Sequence, residues 1–440
     1  MLVLNRILKL TPIAALCAAA LPALATNGMN MEGYGPISTG MGGVSQAVDH
    51  GTAAMAQNPA TLALMGAGAR MDVALGVLGP TVASTMPGFG TAESGGTSYI
   101  MPAFGYARRS GALTYGIGVF AQGGMGTEYG ANTFMGGGSG SATRSELGVG
   151  RVILPLAFQV TPEFALGATV DLIWAGLDMR MAASGAQLAG MVTGASGNLA
   201  MALPPLGGAP WARIDFSDTN DFTGKAKASG WAGKFGAVYK ASPEWTFGAS
   251  YQMKSALKDM QTSASGATMS ATGGFSDAGR ITVVDFQWPA MTAVGAAWQA
   301  TPALMVAVDV KSIGWSDVMK DFKMRYDSAG MGGSVSFALP QHWKDQTVTN
   351  LGIAYKMNDQ LTLRAGVNLA DNPIPDMYVN PLFPATVKSH YTMGVGYRMS
   401  QASEFNGSLV IAPKVTNTSG QGVIITHEQM NVQLMYTHRF

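Results

Sequence analysis

The stretch "VYKASPEWTFGASYQM", Val238 to Met253, decides how this 440-residue chain folds. From Trp245 onward, Trp245, Phe247, Ala249, Tyr251 and Met253 alternate with Thr246, Gly248, Ser250 and Gln252. Successive side chains of a strand point to opposite faces, so one face is apolar and the other polar or small. Pro243 stands between this segment and the one before it; its fixed φ and missing N–H suit a turn and not a strand interior. The phrase returns as "FQVTPEFALGATV" from Phe158, "AWQATPALMVAVDV" from Ala297, "AYKMNDQLTLRAGV" from Ala354 and "GYRMSQASEFNGSLV" from Gly396. Each copy reads as an antiparallel hairpin with one apolar face.

Composition says what that face meets. The chain is 47% hydrophobic and 12% charged, where a soluble domain carries about a quarter charged residues. Beyond the N-terminus no run of about 18 apolar residues occurs, so a membrane location requires a closed barrel, in which every backbone group pairs with a neighbouring strand. From Ala69 onward fourteen strand candidates can be marked, beginning with 69–79 and ending with 425–440. Short connections near 110, 161, 241, 301, 358 and 402 alternate with long ones, among them 178–222 and 258–280. Short turns on one side and long loops on the other are the habit of bacterial outer-membrane barrels. The expectation is an all-β fold: a 14-stranded antiparallel transmembrane β-barrel over 69–440, with a small N-terminal helical hatch plugging its lumen.

The N-terminus reads as a signal peptide over 1–25. Arg6 and Lys9 precede an apolar stretch, and "ALA" at Ala23 to Ala25 fits a small-residue cleavage site. The single cysteine, Cys17, falls inside it, so the mature chain has no thiol. Removing the two cations of the signal from the 27 in the chain leaves 25 against 26 acids, a net charge of −1. That balance gives no excess for nucleic acid. Residues 26–68 are rich in Gly, Ser, Thr and Ala, lack period-two alternation and are too few to bury a core of their own. They would be ordered only when packed inside something larger. At the other end, Val432, Leu434, Tyr436, His438 and Phe440 share one face of the last strand, resembling the signal read by the barrel assembly machinery.

Three stretches resemble the outer-membrane long-chain fatty acid transporter family (FadL/TodX, OmpP1-like). They are "STGMGGVSQAVDHGTAAMAQNPATLALM" from Ser38, "LPLAFQVTPEFALGATVDLIWAGLDM" from Leu154, and "WKDQTVTNLGIAYKMNDQLTLRAGVNLADNPIPDMYVNPLFP" from Trp343. The resemblance implies passive uptake of long-chain fatty acids or related hydrophobic compounds. Capture would occur at the outer loops, the hatch would move, and the substrate would leave sideways through the wall near a kink in the third strand. Monoaromatic hydrocarbons or alkanes on the same fold are the alternative; a general porin or a surface-binding barrel is a weaker one.

On these terms Asn58, Pro59 and Ala60 form the hatch motif, although Asn58 capping a helix with Pro59 in its first turn explains the tripeptide equally. Gly116 and Gly118, followed by "GGMG" at Gly123 to Gly126, mark a candidate kink. Met179, Met181, Met191, Leu203, Met260 and Met269 in the long loops are candidate capture residues, because exposed thioethers adapt to varied apolar ligands; self-packing of long loops competes with that reading. The five His lack metal-ligand spacing, and no nucleophile elbow appears. The expectation is a monomeric transporter of the bacterial outer membrane, not an enzyme, without cofactor or metal, whose partners are a hydrophobic small molecule, outer-membrane lipid and, through Phe440, the assembly machinery.

Overall fold

The computed structural model describes residues 27–218 and 223–440; the expected signal peptide lies outside the described residues. Among the described residues, 23 strands join in one sheet. The expected fourteen strands are corrected to an antiparallel circuit of eighteen. Starting at Gly68–Met86, pairing passes through Tyr99–Ser110, Leu113–Tyr129, Thr143–Gln159 and Phe164–Ala183. It then detours through Ala212–Phe216, Ala267–Ala271, Phe275–Val284 and Met260–Gln261 before reaching Ala226–Lys240. It continues through Trp245–Gln252, Met291–Gln299, Leu304–Ile313, Gln346–Lys356, Leu361–Ala370, His390–Arg398, Ser403–Thr418 and Ile424–Arg439, and returns to Gly68–Met86.

The detour explains the miscount. Phe164–Leu177 pairs directly with Ala226–Tyr239, and the four inserted strands stand beyond that contact, in stretches whose sequence reads largely as loop. A further pair, Asp321–Ser328 and Ser334–Pro340, extends the same sheet to Val192–Ser196. These strands rise past the lipid-facing band, so they carry no outward apolar stripe to announce them.

The alternation read in the hairpins holds. Trp245, Phe247, Tyr251 and Met253 are exposed on the outer surface, while Ser250 and Gln252 are buried. Leu363 points out and Asn368 is buried. This is the reverse of a soluble protein, and it is the arrangement a lipid-embedded wall requires. The last strand pairs with the first through sixteen residue pairs, Arg70↔Arg439 to Thr85↔Ile424, closing the wall.

Residues 27–67 fill the interior. They form a short helix, Gly35–Thr39, and two 3-10 turns, Gly51–Ala56 and Pro59–Leu64. Wall glycines let this segment approach the strands. A Cβ on Gly236 would stand 2.0 Å from Asn58 Oδ1, and one on Gly248 would stand 1.7 Å from the Gln46 carbonyl oxygen. No side chain fits at either place. Inward-facing charges then hold the segment's own polar backbone. Asp309 accepts from Ser45 N at 2.7 Å and Gln46 N at 3.2 Å. Asp72 accepts from Thr52 N at 2.7 Å and pairs with Arg70 at 3.1 Å. Lys311 donates to the Gly43 carbonyl at 2.9 Å, and Lys234 to that of Ala56. Buried backbone groups that the segment's short helices leave unpaired are thus satisfied by the wall.

Candidate functional site

The third long strand, Leu113–Tyr129, is where the wall departs from a regular ladder. On one side its pairing with Tyr99–Ser110 runs only from Ser110↔Leu113 to Phe104↔Val119. Tyr99 to Ala103 keep their partners on Gly68–Met86 but pair with no residue of Leu113–Tyr129. The two edges meet again at the bridge Ser94↔Tyr129. Pro102, with no N–H to offer, sits in the open stretch. On the other side, pairing with Thr143–Gln159 slips between Ala121 and Gly123. Gln122 is the extra residue of a bulge, which bends the strand.

The N-terminal segment occupies that bend. Asn30 bridges to Gly123, and Gly124 N donates to the Met29 carbonyl at 3.2 Å. Gln122 donates to Asn30 Oδ1 at 2.7 Å, and its carbonyl accepts from Tyr34 OH at 2.8 Å. Gly123 has φ +150°, and a Cβ there would lie 2.1 Å from the Met29 carbonyl oxygen. Glycine is required on both counts.

Against the open stretch lies a cavity of about 270 Å³. Met29, Met101, Val119, Phe120, Leu147 and Trp174 give it apolar walls. Its charged lining is two carboxylates, Glu32 and Glu146, and no Lys or Arg lines it among the described residues. Glu146 pairs with Arg144. Glu32 is buried, and burial pushes its carboxyl up, opposed by its own backbone N–H, by Asn431 and by the charge of Lys311. A second apolar crevice, about 20 Å³, shares Met29, Met125 and Leu147 with the first and continues to Met179, Met181 and Trp343. Apolar side chains therefore run without a break from the outer strands to the bulge.

The residues marked in the sequence fall in three places. Asn58 caps the Pro59–Leu64 turn, accepting from Ala60 N at 3.1 Å, and also donates to the carbonyls of Gln46 at 2.7 Å and Ala237 at 3.0 Å. The cap is that of an ordinary helix start, and the two further bonds tie the turn to Gln46 and to the wall at Ala237. Gly116 and Gly118 lie within the regular ladder; the irregularity comes after them, at Gln122 and Gly123. Met179, Met181, Met260 and Met269 are buried in the large apolar core beneath the outer strands, and Met191 and Leu203 are half-buried against it. The long loops pack on themselves, and none of these five methionines, nor Leu203, is exposed. Sequence reasoning missed Met29 to Glu32 and His427 of the cavity and Gln122 of the bulge. The "GGMG" run was the one available signal.

Comparison with known proteins bears on this wall and its gap. A family model described as outer membrane protein transport protein (OMPP1/FadL/TodX) matches residues 14–410. The chain belongs to this family. The toluene transporter TbuX of Ralstonia pickettii is 32% identical, with 93% of this chain and 99% of that one covered and a TM-score of 0.79. The toluene transporter TodX of P. putida is 31% identical over the same shares, with a TM-score of 0.83. A FadL homologue of Pseudomonas aeruginosa shares the fold, with 16% identity, 95% and 100% coverage and a TM-score of 0.71. Among curated proteins, 60 residues match an uncharacterized protein of Chlorobium limicola at 50% identity; the match covers 14% of this chain and 29% of that protein. This OMPP1/FadL/TodX member is accordingly an outer-membrane transporter of hydrophobic compounds and not an enzyme.

Proposed function

We propose that the protein admits neutral, monoaromatic-sized hydrophobic molecules through the outer membrane and releases them sideways at the third long strand. The cavity at the bulge carries this reading. Its volume of about 270 Å³ compares with roughly 150 Å³ for a dry engineered cavity that holds benzene. An apolar lining without Lys or Arg gives the head group of an ionised fatty acid no partner to offset its loss of water, whereas an uncharged ring needs none. The likeness to toluene transporters supports the same choice. Long-chain fatty acids, the first expectation from sequence, fit this lining less well.

In this mechanism the substrate enters past the Met-rich crevice of Met179 and Met181 and settles in the cavity. It leaves through the stretch where Tyr99 to Ala103 have no partner on Leu113–Tyr129. A lateral exit hands an apolar molecule to lipid without a step through water, which would expose apolar surface at about 25 cal/mol per Å². Residues 26–68 act as the hatch: Asn30 and Gln122 form the contact that must shift for the cavity to empty. Phe440, exposed at the end of the closing strand, serves as the mark for the assembly machinery, and the barrel works as a monomer.

The test is uptake of labelled toluene and of labelled oleate by cells lacking their own transporter, with and without this protein. Protein-dependent uptake of toluene and not of oleate is expected. Uptake of oleate alone would overturn the choice of substrate.

A further inference from the structure

The cavity holds one polar corner that transport of a pure hydrocarbon leaves unused. His427 lines it, is buried at 7% exposure, and directs Nδ1 to the Pro384 carbonyl oxygen at 2.8 Å. A carbonyl only accepts, so Nδ1 carries the proton and Nε2 of the neutral ring is an acceptor. Nε2 has no partner. Glu32 Oε1, also buried and lining the cavity, has none either. Of the amides that line the cavity, Gln429 donates to Asn431 Oδ1 at 2.8 Å and Asn30 Oδ1 accepts from Gln122 at 2.7 Å; Asn431 Nδ2, which has no partner, lies outside the lining. The buried side-chain atoms left over at the cavity are therefore acceptors, and a buried acceptor without a donor costs about 1–3 kcal/mol.

We infer that the cavity selects a neutral aromatic molecule bearing one hydroxyl, whose O–H donates to Nε2 of His427. This rests on the proposed function and narrows its substrate class. The ring lies against Phe120, Val119 and Trp174, and the hydroxyl points to the corner formed by His427 and Glu32. Toluene can fill the apolar part and leaves Nε2 unpaired. A carboxylate brings no donor and meets Glu32.

The matched probes are toluene and p-cresol, which differ by one hydroxyl. Cells expressing the full chain take up labelled toluene, and each unlabelled compound is titrated as competitor. For the native protein p-cresol should halve uptake at a concentration roughly tenfold below that of unlabelled toluene, the equivalent of one hydrogen bond. His427→Phe should remove the preference, so that p-cresol and toluene halve uptake at like concentrations whatever its absolute level, and His427→Gln, which keeps an acceptor, should restore part of it. A native protein that prefers toluene, or a His427→Phe variant with an unchanged ratio, overturns the inference and leaves the proposed function standing. Absence of any protein-dependent toluene uptake overturns both.

Discussion

Two seams of the wall differ in kind. Where Ile424–Arg439 meets Gly68–Met86, sixteen successive pairs leave no backbone group open to lipid. Where Tyr99–Ser110 meets Leu113–Tyr129, pairing ceases beyond Phe104↔Val119, and a bulge at Gln122 bends the strand away. A bilayer penalises unpaired backbone groups by several kcal/mol each, so an interrupted seam persists only because something else covers it. The cover is the N-terminal segment, with Met29 and Asn30 bonded to Gly123, Gly124 and Gln122. One seam closes the barrel. The other is, in the proposed mechanism, the doorway, covered by Met29 and Asn30.

The comparison is broken most severely at Gly123. Gly123→Val would push a side chain into the Met29 carbonyl, 2.1 Å away, at a φ of +150°. Toluene uptake should fall by more than about tenfold while the protein still migrates as a folded barrel before heating, the cost of the clash exceeding the 1–3 kcal/mol of ordinary overpacking.

Next come the charges that hold the segment elsewhere. Lys234 is buried and donates to the Ala56 carbonyl. Lys234→Met should lower the unfolding barrier of the segment by roughly 1–3 kcal/mol and raise single-channel ion leakage in planar bilayers. Leakage equal to the native level would argue that the remaining contacts suffice.

Acid should loosen the same segment. Burial, the largest cause, lowers the pKa of His50 to about 4; the Val48 carbonyl and Asp49 oppose it, and Arg70 and Lys311 reinforce it. A depressed folded pKa means the neutral ring contributes stability above the unfolded value of about 6.5. That contribution is lost as pH falls through the folded value of about 4. Between pH 7 and pH 4 the heat needed to unfold the barrel should drop less for His50→Gln than for the native chain.

Gly118→Ala should have the smallest effect. The new methyl meets two side-chain ends that can shift, Phe120 Cε2 at 2.5 Å and Met55 Sδ at 2.9 Å, and the Phe104 carbonyl oxygen at 3.1 Å, and the pairing with Tyr99–Ser110 there is regular. A change in toluene uptake within about threefold is expected, under 1 kcal/mol. A loss as large as that of Gly123→Val would place the hinge of the strand earlier than the bulge.

How much of this was legible follows from which signals are local. The hairpin at Val238 to Met253 was readable because lipid outside and polar lumen inside impose strict alternation on adjacent residues. The dependence of residues 26–68 on a surrounding wall was readable because they contain no apolar periodicity. The strands Ala212–Phe216 and Ala267–Ala271 were not readable: each alternates over only five residues, and beyond the lipid band the apolar members, Ala212, Ile214 and Phe216 or Ala267, Met269 and Ala271, are buried, the reverse of the wall hairpins. Nor was the bulge, since a register shift at Gln122 depends on how two strands pair, and glycine is common along most of this chain. The cavity was beyond reach for a further reason. It joins Glu32 to His427 across almost the whole length of the sequence, and only closure of the barrel brings them together.

The doorway is tested most directly by filling it. The only cysteine, Cys17, falls in the expected signal peptide, so Met101→Cys would carry a single thiol beside the open stretch, at the edge of the cavity. Labelled toluene uptake is measured in cells before and after reaction with a bulky maleimide, with modification confirmed by mass. Native-like uptake is expected before reaction, and a fall to the level of cells lacking the protein afterwards. Undiminished uptake by the fully modified barrel would contradict it and send the substrate by another path.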